Sequence, residues 1–237
     1  MSLENPNYMF PPIPEGYKHV LGEWKTGFTI QALNGNFELG DYWTWVPVGY
    51  LDNNGTLDGK TFNSKFGRRN YRGEHFSSSE FNERIDTDLT KTLHTIEKYG
   101  GFYISTYLIS EDEDGYACSG PCKKPWTNID FNKARHHAST LGFNYTEAHL
   151  CYGAEIDTFI EWLTKCNLDM SKMSPATPIK GHLHLGKGTY MWTMEHYGLS
   201  SRVIRYIGDN SNLTDRTSTP NTFTSEHLGF RATLYIP

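Results

Sequence analysis

Apolar residues recur every three or four positions in three stretches of the chain, and each stretch predicts a helix with one buried face. Phe81, Ile85, Leu89, Leu93 and Ile96 predict the first, from about Ser79 to Tyr99, with Gly100-Gly101 as its left-handed stop. Phe131, Ala134, Ala138 and Leu141 predict a second that begins at an Asp130 N-cap and ends at Gly142. Ile156, Phe159, Ile160 and Leu163 follow the i, i+3, i+4, i+7 rule and predict a third over Gly153 to Cys166. Elsewhere the pattern is that of strands. Phe28-Thr29-Ile30 and Tyr42 to Val48 flank the turn signal Asn34-Gly35-Asn36 and read as a hairpin, and Gly101 to Tyr107 reads as a further strand. Gly49 to Ser79 has turn chemistry and little periodicity, so it reads as loop.

The predicted order is strands, loop, helix, strand, loop, two helices and strands. That order excludes alternating βαβ units and gives an α+β domain with short strands, about three helices and much irregular backbone. Residues 1–14, rich in proline and polar side chains, read as an attachment arm, and residues 15–237 as one domain. The 237 residues are 14% aromatic, enough for a substantial core. A net charge of -5, from 22 basic and 27 acidic residues spread along the chain, leaves no electrostatic footprint for nucleic acid. No apolar run approaches the roughly 20 residues that cross a bilayer, so membrane insertion is not expected, and the first residues lack the pattern of a signal peptide.

Little in the sequence carries chemistry. Four cysteines are too few for a disulfide-dense scaffold; Cys118 and Cys122 are close enough to bridge or to supply two thiolates, while Cys151 and Cys166 flank the third helix and read as packing. The four carboxylates between Glu111 and Gly115 make a candidate structural calcium loop, although the spacing is not that of an EF-hand, and a solvated acidic turn is the plainer reading. His182 and His184 share a face if extended but have no third ligand in view, His136-His137 point apart on a helix, and Glu195-His196 point apart on a strand. Trp45 and Trp192 read as core, and Arg231 as one side of a buried structural ion pair. No catalytic residue, metal ligand set or cofactor is assigned.

The C-terminal third contains Tyr190-Met191-Trp192-Thr193-Met194-Glu195, then Ser201-Arg202-Val203-Ile204-Arg205, then Leu228-Gly229-Phe230-Arg231 running to Ile236. Upstream stand Pro14-Glu15-Gly16-Tyr17, Trp43 to Val48, Gly101-Phe102-Tyr103-Ile104, Pro125-Trp126-Thr127-Asn128 and Leu150-Cys151-Tyr152-Gly153-Ala154-Glu155. In order and spacing this set resembles the formylglycine-generating-enzyme or sulfatase-modifying-factor-like domains, a variant of the C-type-lectin fold, and most of all the versions found in prophages of Gram-positive bacteria. The resemblance implies a lectin-like fold over about Pro14 to Ile236. In catalytic members a cysteine pair in the loop between the last two motifs binds copper and activates oxygen, but Tyr206 to Ser225 contains no cysteine. Arg205-Tyr206-Ile207-Gly208 also replaces the family's Arg-Gly-Gly, and Lys187-Gly188-Thr189-Tyr190 its Gly-Asn. The resemblance therefore implies the fold without its oxidase chemistry.

The Tyr206 to Ser225 segment mixes small hydrogen-bonding side chains with a few aromatic anchors, the composition of an antibody paratope. It also lacks Lys, Glu, Gln, Met and Trp, the residues out of reach of adenine-directed diversification of asparagine codons. Together these features make Tyr206, Asp209, Asn210, Asn212, Asp215, Arg216, Asn221 and Phe223 the candidate ligand-binding residues. The expectation is a phage or prophage tail-associated protein at the virion surface that binds a host cell-surface protein or glycan. The N-terminal arm would hold other virion tail proteins, with homo-oligomerisation open. A divergent formylglycine-generating-type oxidase and a bacterial surface or secreted carbohydrate-binding module are the alternatives.

Overall fold

A computed structural model describes residues 11–22, 27–33, 40–48, 50–51, 57–58, 81–82, 87–121, 123–165, 189–206 and 215–237. Its strands are β1 (Tyr17–Leu21), β2 (Thr29–Ala32), β3 (Tyr42–Pro47), β4 (Tyr50–Leu51), β5 (Leu57–Asp58) and β6 (Phe81–Asn82), followed by helix α1 (Thr87–Tyr99). Strands β7 (Gly101–Ser105), β8 (Ser110–Glu111) and β9 (Ala117–Cys118) lead to α2 (Phe131–Ser139), β10 (Glu147–Leu150) and α3 (Gly153–Lys165). The chain closes with β11 (Tyr190–Tyr197), β12 (Ser201–Tyr206), β13 (Asp215–Pro220), β14 (Leu228–Phe230) and β15 (Ala232–Tyr235). The α+β class holds.

The larger sheet runs β1-β2-β3-β7-β15-β10 and is antiparallel throughout. Its centre is covered on both faces. One cluster joins Ile30, Trp43, Trp45, Tyr103, Leu150 and Leu234 to Phe131, Ala134 and Ala138 of α2, and the other joins Val46, Phe102 and Ile104 to Ile156, Phe159, Ile160 and Leu163 of α3. Burial on both sides explains why β7 is buried at every position instead of alternating. Polar groups in this layer are paired with one another: the hydroxyls of Thr29, Thr44 and Thr106 form a chain with separations of 3.2 and 2.9 Å. Trp45 and Trp192 are core, as their strand positions predict, and Trp43 joins them.

The second sheet runs β13-β12-β11-β14, with β6 also paired to β11. Strands β11 and β14 are parallel, and the other pairs are antiparallel. The sheet presents Met191 to the α3 cluster and Trp192, Ile204 and Phe230 to the α2 cluster. Phe131 meets Trp192 edge-on at 5.9 Å, and the indole N–H of Trp192 donates to the Ile129 carbonyl.

Two predicted helices change in extent. The first helix begins at Thr87, not near Ser79, because Phe81 and Asn82 pair with Tyr197 and His196 of β11; residues 83–86 lie outside the described residues. Its stop is as expected, with Gly100 at φ 78 and its N–H bonded to the Ile96 carbonyl. The second helix keeps its Asp130 N-cap, whose carboxylate accepts from the Lys133 N–H, but ends at Ser139, with Leu141 reaching the core from the turn beyond. Strand β1 is an addition, exposed at three of its five positions because it lies at a sheet edge. Of the N-terminal arm, residues 11–14 lie on the body, where the Pro12 carbonyl accepts from the Tyr103 hydroxyl at 2.7 Å. Residues 1–10, the Asn34-Gly35-Asn36 turn and most of the Gly49 to Ser79 stretch lie outside the described residues.

Candidate functional site

The candidate ligand-binding residues do not form one loop. Within the segment, β13 pairs with β12 from Tyr206↔Asp215 to Ser201↔Pro220, so the two strands make a hairpin whose ends lie five ladder steps apart. At about 3.3 Å per residue the separation is about 17 Å. Tyr206 and Asp215 stand at one end, Asn221 and Phe223 at the other, and Arg216 between them. Asp209, Asn210 and Asn212 lie outside the described residues, as does the side chain of Asp215.

At the first end, half-buried Tyr206 packs its ring on Tyr190, its direct partner across β11 and β12, with ring centroids 5.0 Å apart. Tyr190 also donates its N–H to the His227 carbonyl, which ties this corner to the approach of β14. Tyr190 is a residue that sequence reasoning missed as a neighbour of Tyr206, because only the strand register shows that the two share a face.

Arg216 is not a surface anchor. It is 6% exposed and donates to Asp157 Oδ2 at 2.7 Å, while Asp157 Oδ1 accepts from Arg205, which is fully buried. Glu195 Oε2 lies 3.9 Å from Arg216 Nε. Two carboxylates and two guanidinium groups thus meet between α3 and the second sheet. The physical reason is alternation: on β13 Arg216 points to the same face as Arg205, toward α3, and Thr217 points away.

At the other end the backbone is firmly held. Asn221 donates its N–H to the Ser200 carbonyl and accepts from the Phe131 N–H at its own carbonyl, and the Asn128 N–H donates to the Ser225 carbonyl. These bonds fasten the Pro220 to Ser225 turn both to the β11–β12 hairpin tip and to the entrance of α2. On this support Phe223 is 45% exposed, and Leu199 at the hairpin tip is 93% exposed. Thr222 and Thr224 are exposed on either side of Phe223, and Asn221 is half-buried. Leu199 gave no sequence signal, since a single leucine in a Gly-Leu-Ser turn resembles any other.

The remaining candidate chemistry is structural where it is described. Arg231 is fully buried, as expected of a structural residue, and donates to the Ser105 carbonyl. Glu155 stands in the first turn of α3, where Oε2 accepts from the Tyr152 N–H at 2.8 Å in the manner of a capping box. Its Oε1 lies 2.8 Å from His149 Nε2, and the Thr233 hydroxyl donates to Oε2 at 2.7 Å, with Cys151 Sγ 3.3 Å from the same hydroxyl. Burial raises the Cys151 thiol far above its ordinary value and, aided by the charge of Asp41, pushes Cys118 to about 11. Neither thiol is a thiolate near neutral pH. In the acidic turn Asp112 Oδ1 accepts from the Asp114 and Tyr116 N–H groups. Among the described residues no group of three or more His, Cys, Asp or Glu side chains is arranged to hold a metal ion. Cys122, Cys166, His182 and His184 lie outside the described residues.

No family model matches the chain, and no curated protein sequence matches it. Among solved structures it is similar to PvdO from Pseudomonas aeruginosa at 12% identity and a TM-score of 0.39, covering 58% of this chain and 82% of that one. A likeness that distant carries no argument about fold family or activity.

Proposed function

We propose that the chain is a non-enzymatic recognition domain of lectin-like build, a phage or prophage tail-associated protein that attaches to a host cell-surface protein or glycan through its C-terminal segment. One observation carries the reading. The Pro220 to Ser225 turn combines an exposed aromatic ring with two exposed threonines and a half-buried asparagine, on a backbone held by hydrogen bonds from two neighbouring elements. Rigid aromatic area surrounded by small polar groups loses little entropy on binding. The family resemblance supports the lectin-like build through its ordered set of motifs from Pro14 to Ile236. The cysteine-free segment supports binding over copper oxidase chemistry.

The test is attachment of labelled protein to a panel of intact Gram-positive cells. Saturable binding to particular strains, competed by unlabelled protein, is the expected result. Copper-dependent oxidation of a cysteine-containing peptide, with no cell binding on any strain, would replace this reading with the oxidase.

A further inference from the structure

We propose that Asp41 is a protonation-controlled latch that holds the β8–β9 arm against the start of β3. The arm leaves the body after Leu108, turns through Asp112 to Tyr116 and returns at Ser119. Its root is tied by the Trp126 N–H to the Ile109 carbonyl and by the Ser110–Pro125 bridge. Its returning strand is tied at Ser119, which is fully buried. The Ser119 N–H donates to Asp41 Oδ1 at 2.6 Å, the Tyr42 N–H donates to the Ser119 carbonyl at 2.8 Å, and the Ser119 hydroxyl donates to the Tyr42 carbonyl at 3.0 Å. Asp41 is the ionisable member of this clasp.

Among the described residues, the Ser119 N–H favours its charge and Asp112 opposes it. Tyr17 of β1 and Asp112 and Cys118 of the arm face it, and the charge of Lys123 acts on Cys118. Burial raises the Asp41 carboxyl from 3.8 to about 7, and Asp112 adds to the rise against the Ser119 N–H. An open arm would return the carboxyl to water and to its ordinary value. Because the closed-state value is the raised one, closure is most favoured below the ordinary value and is progressively weakened as pH rises to about 7. Above that the charged carboxylate is present in both states and the dependence levels off. A neutral carboxyl still accepts from the Ser119 N–H through its carbonyl oxygen, so the clasp survives protonation while its desolvation cost disappears.

Amide hydrogen exchange of the whole chain tests the latch. The readout is the protection factor of the Ala117–Ser119 amides, corrected for intrinsic exchange and referred to the β7 amides. For wild type the linkage relation gives about a 30-fold loss of arm protection from about pH 5.5 to about pH 8.5. Asp41→Asn should show a flat profile, and Asp112→Asn a weaker dependence displaced to lower pH. A wild-type profile that is flat, or an Asp41→Asn profile with the wild-type slope, overturns the proposal. If Asp41→Asn does not fold, a carbon NMR titration of the wild-type carboxyl decides. A midpoint near 7 supports the latch, and one near the ordinary carboxylate value overturns it.

Discussion

Substituting Asp157 by asparagine removes one charge from a buried cluster while keeping its shape. Asp157 is 2% exposed, and its two oxygens engage two different arginines, one fully buried and the other 6% exposed. Without the carboxylate, Arg205 and Arg216 both lose an anionic partner in a buried site. Breaking a buried ion pair on one side costs about 3–5 kcal/mol, because the partner's desolvation is no longer offset. Both hydrogen bonds to Asp157 are charge-assisted, which argues for the upper half of that range. Arg216→Ala should cost about 3 kcal/mol by the same mechanism, and the double variant less than the sum, since the two groups act as a unit. Urea denaturation followed by circular dichroism measures each loss, with Asp114→Ala in the exposed acidic turn as a surface control expected to stay within about 0.5 kcal/mol. Losses below about 1 kcal/mol for both Asp157→Asn and Arg216→Ala would mean that the cluster is hydrated and that Arg216 is free to serve a ligand after all.

Two further outcomes are expected. Phe159→Ala and Ile160→Ala, at 0% and 3% exposure on the inner face of α3, should each cost about 2–5 kcal/mol in the same assay, and losses below about 0.5 kcal/mol for both would contradict that packing. The purified protein should neither bind copper(I) stoichiometrically nor consume oxygen with a cysteine-containing peptide, measured by copper titration and an oxygen electrode, because the segment between Arg205 and Gly229 has no thiol to ligate the metal.

Elements whose contacts repeat along the chain were legible. Ile156, Phe159, Ile160 and Leu163 announce the buried face of α3 by spacing alone, and Asp130 announces the start of α2 through a local side-chain bond. What depends on distant partners was not. Phe81 fits the helical spacing of the following residues, yet its pairing with Tyr197 takes it into a strand. Arg216 sits among serines and threonines and reads as surface, but its partner Asp157 is 59 residues away on a helix whose apolar face gave the only visible signal. The candidate site was legible as a segment and not as a surface. Composition drew attention to Tyr206 through Ser225, whereas the β12–β13 register divides that segment and buries Arg216, one of the candidate residues. It also brings the β11–β12 tip that carries Leu199 against the turn that carries Phe223.

The most direct test of a recognition role is cell attachment by Phe223→Ala, Leu199→Ser and Tyr206→Ala beside wild type, with thermal melts of every variant. Phe223 and Leu199 are exposed and should leave the melts unchanged while attachment weakens, the largest single loss being about 2 kcal/mol or more, roughly 30-fold in affinity. Loss with Tyr206→Ala alone would move the contact to the far end of the hairpin and keep the recognition role. Wild-type attachment by all three variants, with folding intact, would contradict recognition through this segment.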